Sequence, residues 1–165
     1  MIYDIEIGDE AKDTVTGISG IVVVKHNYLY GIPRIGIQPT GSFEGKPHES
    51  IHIDILQGEL IKKAAVDRKG TAPKTLLELG AKGKCRITGF EGICTGRAEW
   101  LYSCTKVLLQ SEKLDFWTRK PREGVWLDEP GIKVLKEVSE EIKETVKERT
   151  TGGFGQPIYK DNRHN

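Results

Sequence analysis

Ile7–Gln38, IGDEAKDTVTGISGIVVVKHNYLYGIPRIGIQ, and Leu79–Gln110, LGAKGKCRITGFEGICTGRAEWLYSCTKVLLQ, align without a gap. Identical pairs include Gly8 with Gly80, Lys12 with Lys84, Thr16 with Thr88, Gly17 with Gly89, Gly20 with Gly92, Leu29 with Leu101, Tyr30 with Tyr102 and Gln38 with Gln110. Conservative pairs include Val15 with Ile87, Lys25 with Arg97, Tyr28 with Trp100 and Arg34 with Lys106. With two residues inserted, Ile51-His52-Ile53-Asp54 then matches Val125-Trp126-Leu127-Asp128. The chain is an internal duplication. Its unit, roughly 50 to 60 residues, is too long for a solenoid repeat and suits a tandem pair of small β units.

Each copy reads as strand and turn. Gly8-Asp9 is a turn that launches a strand, and Thr-Gly-x-x-Gly supplies two points where a strand bends or bulges. Ile21 to Lys25 is a β-branched run, His26-Asn27 reads as a turn, and Tyr28 to Gln38 as the next strand. Ile51 to Ile55 alternates apolar and polar residues. Glycine-bent strands of this length bury an apolar face by closing as partly open barrels. The pattern resembles that of KOW and Tudor-type small barrels. The expected fold is therefore mainly β: tandem duplicated small β-barrel-like units of SH3/KOW-like type, one C-terminal amphipathic helix and an extended tail. The first unit is read over residues 1–61, a linker over 62–78, and the second unit over 79–130. An amphipathic helix is expected over 131–149, since Ile132, Leu135, Val138, Ile142 and Val146 recur every three or four residues after Pro130-Gly131. A polar arm over 150–165 follows.

Composition bounds what such a chain does. At 165 residues it has room for one ordinary domain or two very small ones, not for a large catalytic architecture. Twenty-five Lys and Arg against 24 Asp and Glu give no global basic field, so strong non-specific nucleic-acid binding is not expected and any phosphate binding is local. No leader pattern opens the chain and no apolar run approaches a membrane span, so a cytoplasmic protein without membrane contact is expected. Cys85, Cys94 and Cys104 are odd in number and lack metal-ligand spacing, and they read as reduced thiols. A Cys94–Cys104 contact across a hairpin is the alternative.

One string invites a metalloenzyme reading. His48-Glu49-Ser50-Ile51-His52 satisfies H-E-x-x-H, whose chemistry needs a helix to bring both imidazoles to one zinc. Here the string runs into a period-two strand, where its histidines stand about 13 Å apart, and the second copy has Arg122-Glu123-Gly124-Val125-Trp126 instead. No metal, cofactor or catalytic residue is expected. Asp54 and Asp128 are matched carboxylates, read as turn caps or as acid/base groups should the units face each other.

Polar and aromatic positions shared by the copies carry more. Lys25 and Arg97, Tyr28 and Trp100, Tyr30 and Tyr102, and Arg34 and Lys106 interleave cations with rings. That is what a nucleobase-and-phosphate ligand requires, with stacking contributing roughly 1 to 3 kcal/mol per base. Units packed about a pseudo-two-fold axis create a quasi-symmetric cleft for a dinucleotide-like ligand. The alternative is that the tyrosines belong to each barrel's core or rim and the cations are solvated.

Ile87-Thr88-Gly89-Phe90-Glu91-Gly92-Ile93, Arg97-Ala98-Glu99-Trp100-Leu101-Tyr102-Ser103-Cys104, Trp126-Leu127-Asp128-Glu129 and the late Lys147-Glu148-Arg149-Thr150-Thr151-Gly152-Gly153 together resemble a family of small phage and prophage proteins. The first copy departs at Ile32-Pro33 and at His52, where the pattern prefers Trp. The resemblance implies viral origin and a host-cell cytoplasm, and brings no catalytic residues. By analogy with phage sponges, the expected function is non-enzymatic sequestration of a nucleotide second messenger of bacterial antiviral immunity, a cyclic oligonucleotide or an ADP-ribose derivative. Association of copies through the C-terminal helix and closure by Phe154 to Tyr159 are further expectations. A protein- or nucleic-acid-binding accessory module, and a phosphodiesterase-like enzyme using His48, His52 or Asp54, are the alternatives.

Overall fold

The computed structural model describes residues 4–64 and 75–144. Within them the protein is mainly β and small-barrel-like. The first unit comprises β1 (Glu10–Asp13), β2 (Ser19–Tyr28), β3 (Arg34–Pro39), a two-stranded ribbon of β4 (Ser42–Phe43) and β5 (Lys46–Pro47), β6 (Ile51–Asp54), a 3-10 turn (Ile55–Gln57) and β7 (Gly58–Lys62). The second repeats it as β8 (Lys82–Cys85), β9 (Glu91–Trp100), β10 (Lys106–Gln110), β11 (Val125–Asp128), a 3-10 turn (Glu129–Gly131) and β12 (Ile132–Lys136). In each unit the last strand pairs with the first, so the order is β7-β1-β2-β3-β6 in one copy and β12-β8-β9-β10-β11 in the other.

Matching cores fill the two units. Ala11, Val22, Ile35, Ile37, Ile53 and Ile55 form the first, and Leu77, Cys94, Val107, Leu109, Ile132 and Val138 are in the second. The Thr-Gly-x-x-Gly segment works as its glycines require. Gly17 and Gly89 take positive φ, +76° and +72°, at the tip of the bend. Gly20 and Gly92 lie so close to the backbone of Gln38 and Gln110 that a Cβ would collide with it.

Two local expectations are overturned. His26-Asn27 is not a turn: β2 runs through it to Tyr28, and the turn comes after. The reason is β9, which pairs antiparallel with the extension, Val24 opposite Trp100, His26 opposite Ala98 and Tyr28 opposite Gly96. The expected helix from Ile132 is likewise a strand up to Lys136, because β8 needs a partner on that edge and takes Ile132, Lys133 and Val134 opposite Cys85, Lys84 and Gly83. Helix begins only at residue 140, where Ser139 receives the Ile142 amide on its side chain and the Lys143 amide on its carbonyl. The cysteines follow the main expectation, since all three thiols are free; the alternative contact is not formed, because Cys94 is paired with Leu109 in the sheet while Cys104 sits exposed after β9. Part of the expected linker, the rest of the helix and the C-terminal arm lie outside the described residues.

The β2–β9 ladder joins the units into one ten-stranded sheet about a pseudo-two-fold axis. His26 faces its own counterpart, Ala98, on that axis. Beyond the ladder, the Leu29 amide reaches the Thr95 carbonyl at 3.0 Å and the Leu101 amide reaches Val23 at 2.9 Å, two bonds related by the same symmetry.

Candidate functional site

A bulge in each long strand creates the face of interest. Register shifts between Val22 and Val24 against β3, and at the corresponding point between β9 and β10. Before the bulge, Val22 and Cys94 point into the two cores. After it, Val24, His26 and Tyr28 of β2 share the opposite face with Gly96, Ala98 and Trp100 of β9, while Lys25 and Arg97 turn inward.

Three cross-strand rows line that outer face. One runs His52, Gly36, Val24, Trp100, and its pseudo-symmetric counterpart runs Trp126, Leu108, Gly96, Tyr28. Between them lies Asp54, Arg34, His26, Ala98, Lys106, Asp128. The His26 ring is the hub. It stacks with Tyr28 at 6.3 Å and 8°, meets His52 at 5.5 Å, and takes edge-on contacts from Trp100 at 6.3 Å and Trp126 at 5.9 Å. Glycines make room for the outer rings: a Cβ on Gly36 would lie 3.2 Å from the His52 ring, and one on Gly96 3.2 Å from the Trp126 indole. Trp100 and Trp126 stay 37% and 39% exposed, so the face is open and partly solvated, not the enclosed cleft expected.

Electrostatics on the face are balanced. Arg34 pairs with Asp54 at 3.2 Å and Lys106 with Asp128 at 3.9 Å, the same arrangement in both copies. The two cations are separated by three inter-strand steps, about 14 Å. Both carboxylates thus neutralise flanking cations at the strand ends. Burial holds the His26 imidazole below its ordinary pKa, and His52 and Arg34 push it the same way; its Nδ1 is buried without a hydrogen-bond partner. The central ring is therefore held neutral, as an aromatic surface.

Of the residues picked from the sequence, Tyr28, Trp100, Arg34 and Lys106 share this face. Tyr30 and Tyr102 are exposed in the equivalent turns after β2 and β9. Lys25 and Arg97 point elsewhere, which corrects their assignment to the ligand face. Lys25 binds the Ile5 carbonyl at 3.3 Å and the Glu6 carboxylate at 2.9 Å. Arg97 is buried, paired with Glu129 and, at 2.9 Å, with Glu99. Burial opposes the Arg97 charge, but its two carboxylates outweigh that and raise its pKa. His26, His52 and Trp126 also lie on this face outside the expected ligand-binding set, His52 having entered only as an alternative enzyme residue. The repeat offered a signal for two of them, since His52 and Trp126 are matched ring positions in Ile-His-Ile-Asp and Val-Trp-Leu-Asp.

His52 lies on a strand, with its ring against His26 and not in a helical zinc site. Among the described residues no group of three or more His, Cys, Asp and Glu is placed to hold a metal ion, and no helix is long and apolar enough to cross a membrane. Fold and face define a tandem pair of small β units fused edge to edge, with a pseudo-symmetric aromatic surface at the junction. Comparison with family models, curated proteins and solved structures finds no match for the chain.

Proposed function

We propose that this protein is a non-enzymatic binder that stacks the bases of a nucleotide second messenger on its aromatic face and thereby sequesters the signal. The observation that carries the reading is the ring cluster itself: Tyr28 with Trp100 and His52 with Trp126, two symmetry-related pairs around one neutral His26. A ligand with two similar halves meets similar ring surfaces on each side of the axis. Arg34 and Lys106 lie where its phosphates would exchange with Asp54 and Asp128 as partners. The resemblance to phage proteins supports the biological setting, sequestration of an antiviral signal in an infected cell.

The test is direct. The purified protein is titrated with cyclic dinucleotides, cyclic trinucleotides and cyclic ADP-ribose isomers while tryptophan fluorescence is followed; the saturated sample is then heat-denatured and the supernatant chromatographed. Quenching and intact ligand in the supernatant are expected. Trp100→Ala and Trp126→Ala should each weaken binding about tenfold, in line with roughly 1 to 3 kcal/mol per stacked base. Altered ligand in the supernatant would mean turnover, and no response to any member of the panel would sink the proposal.

A further inference from the structure

A second aromatic element stands apart from the sheet face. The connection from β10 to β11 carries Leu114-Asp115-Phe116-Trp117-Thr118-Arg119-Lys120-Pro121. Leu114 and Pro121 form an antiparallel bridge. Inside it the Asp115 amide donates to the Lys120 carbonyl at 2.9 Å, and the Arg119 amide to the Asp115 carbonyl at 3.0 Å. The Asp115 carboxylate accepts the amides of Trp117 (3.1 Å) and Thr118 (2.8 Å) and the Thr118 hydroxyl (3.0 Å). The loop is thus internally braced, with Arg119 in the left-handed region at φ +56°. It nevertheless presents Phe116 at 72% and Trp117 at 87% exposure, packed edge to face at 5.3 Å. Exposing two large rings costs hydration free energy that a purely structural loop has no reason to incur.

We infer that this loop is a site of its own for single-stranded nucleic acid, with Trp117 stacking on a base and the neighbouring cations meeting the phosphates. Residues 113–122 hold four cations, Lys113, Arg119, Lys120 and Arg122, against one carboxylate, Asp115, which the turn already uses as a hydrogen-bond acceptor. Lys113 and Arg122 also line a cleft at the base of the loop with Lys82, Phe90, Glu91 and Glu112, where Lys82 pairs with Glu112, so the cleft is nearly balanced and the cationic character belongs to the loop. The near-neutral total charge of the chain is consistent with this, because the basic character is local. A bilayer is the weaker candidate: it rewards buried apolar area, and Leu114, Phe116 and Trp117 supply little of it. A base needs one free π face, which Trp117 has.

Anisotropy of a labelled twelve-nucleotide dT strand, measured against the full chain, tests this. Expected are salt-sensitive binding, about tenfold loss with Trp117→Ala, and a shallower salt dependence for Arg119→Ser with Lys120→Ser, by about 0.7 in log–log slope per phosphate contact removed. Trp126→Ala should weaken binding of the cyclic nucleotide panel about tenfold and leave dT binding in place, which separates the two proposals. The inference is overturned if the wild type ignores dT, if Trp117→Ala binds it unchanged, or if Trp126→Ala removes it. It is also overturned if Trp117 responds only to phosphatidylglycerol vesicles, or if its loss changes only the sedimentation of the protein.

Discussion

The two units share five strands, their bulges and a 3-10 turn, the β4–β5 ribbon belonging to the first alone, yet they solve one packing problem in different ways. Where the first unit buries Ile55, the second buries Glu129. Glu129 accepts the amides of Leu76 and Leu77 at 3.0 and 2.9 Å and pairs with Arg97. In the first unit Lys25, the counterpart of Arg97, instead grips the carbonyl of Ile5, the counterpart of Leu77. Both devices pin the chain entering the first strand, one through its carbonyl and one through its amides. The first unit in turn buries Asp9 and Asp13 where the second has Ala81 and Cys85. A duplicated scaffold tolerates different buried charges when each meets an opposite charge or several hydrogen bonds, because an uncompensated one costs more than the pair gains.

The sharpest way to break this comparison is Glu129→Ala. It leaves Arg97 with Glu99 as its remaining carboxylate and the Leu76 and Leu77 amides without an acceptor, and a loss of about 3 to 5 kcal/mol in urea unfolding is expected. Lys25→Met, at the matching site, removes a pair whose carboxylate is largely exposed and should cost under about 1 kcal/mol. Arg97→Met with Glu129→Leu should recover most of the loss, short of the wild type because the Leu76 and Leu77 amides still lack an acceptor.

Glycines on the aromatic face give the next effect. Gly36→Ala drives a methyl into buried Val24 and the His52 ring, so about 1 to 3 kcal/mol and a displaced His52 signal in NMR spectra are expected. Gly96→Ala meets Leu108 at 3.1 Å and Trp126 at 3.2 Å, contacts that yield by small shifts. It should cost under about 1 kcal/mol.

Acid should separate the units. The Thr16 hydroxyl, with the amides of Val15 and Thr16 and the Gln57 side chain, outweighs burial and lowers the Asp13 carboxyl to about 2. A depressed carboxyl stabilises the fold above its unfolded value, about 3.9, and the stabilisation is lost as pH falls from there through about 2. Amide exchange in the first unit should therefore accelerate in that window. Asp13→Asn, which does not titrate, should flatten the acid limb.

His26 gives the smallest change. Its lowered pKa means that the unfolded chain takes up the proton first, so stability is constant above about 6.5 and declines as pH falls below it. Replacing His26 with Ala, its counterpart at position 98, should remove that slope in denaturation measured from pH 7 to 5.

Much of the architecture was legible because the duplication aligns position by position, but the closing strand of each unit was not: Gly58–Lys62 ran into the expected linker, and Ile132–Lys136 matched a helix, since five apolar residues from Ile132 to Val146 fall at helical spacing. The better signal was the repeat itself, in which Leu60-Ile61-Lys62 corresponds to Val134-Leu135-Lys136. For the site, Tyr28, Trp100, Arg34 and Lys106 were legible as matched rings and cations. Arg97 was misplaced because one bulge reverses which alternate residues face solvent, and nothing in the local composition marks the bulge.

The sequence by itself determined two copies of a glycine-bent β unit, since local turn chemistry and period-two burial are written in neighbouring residues. Only the tertiary structure decided that β2 and β9 pair through His26 and Ala98, that Lys25 and Arg97 turn inward, and that five rings from four strands meet on one face. Edge-to-edge pairing and register are set by free energy summed over residues about seventy positions apart, and no local pattern holds that sum.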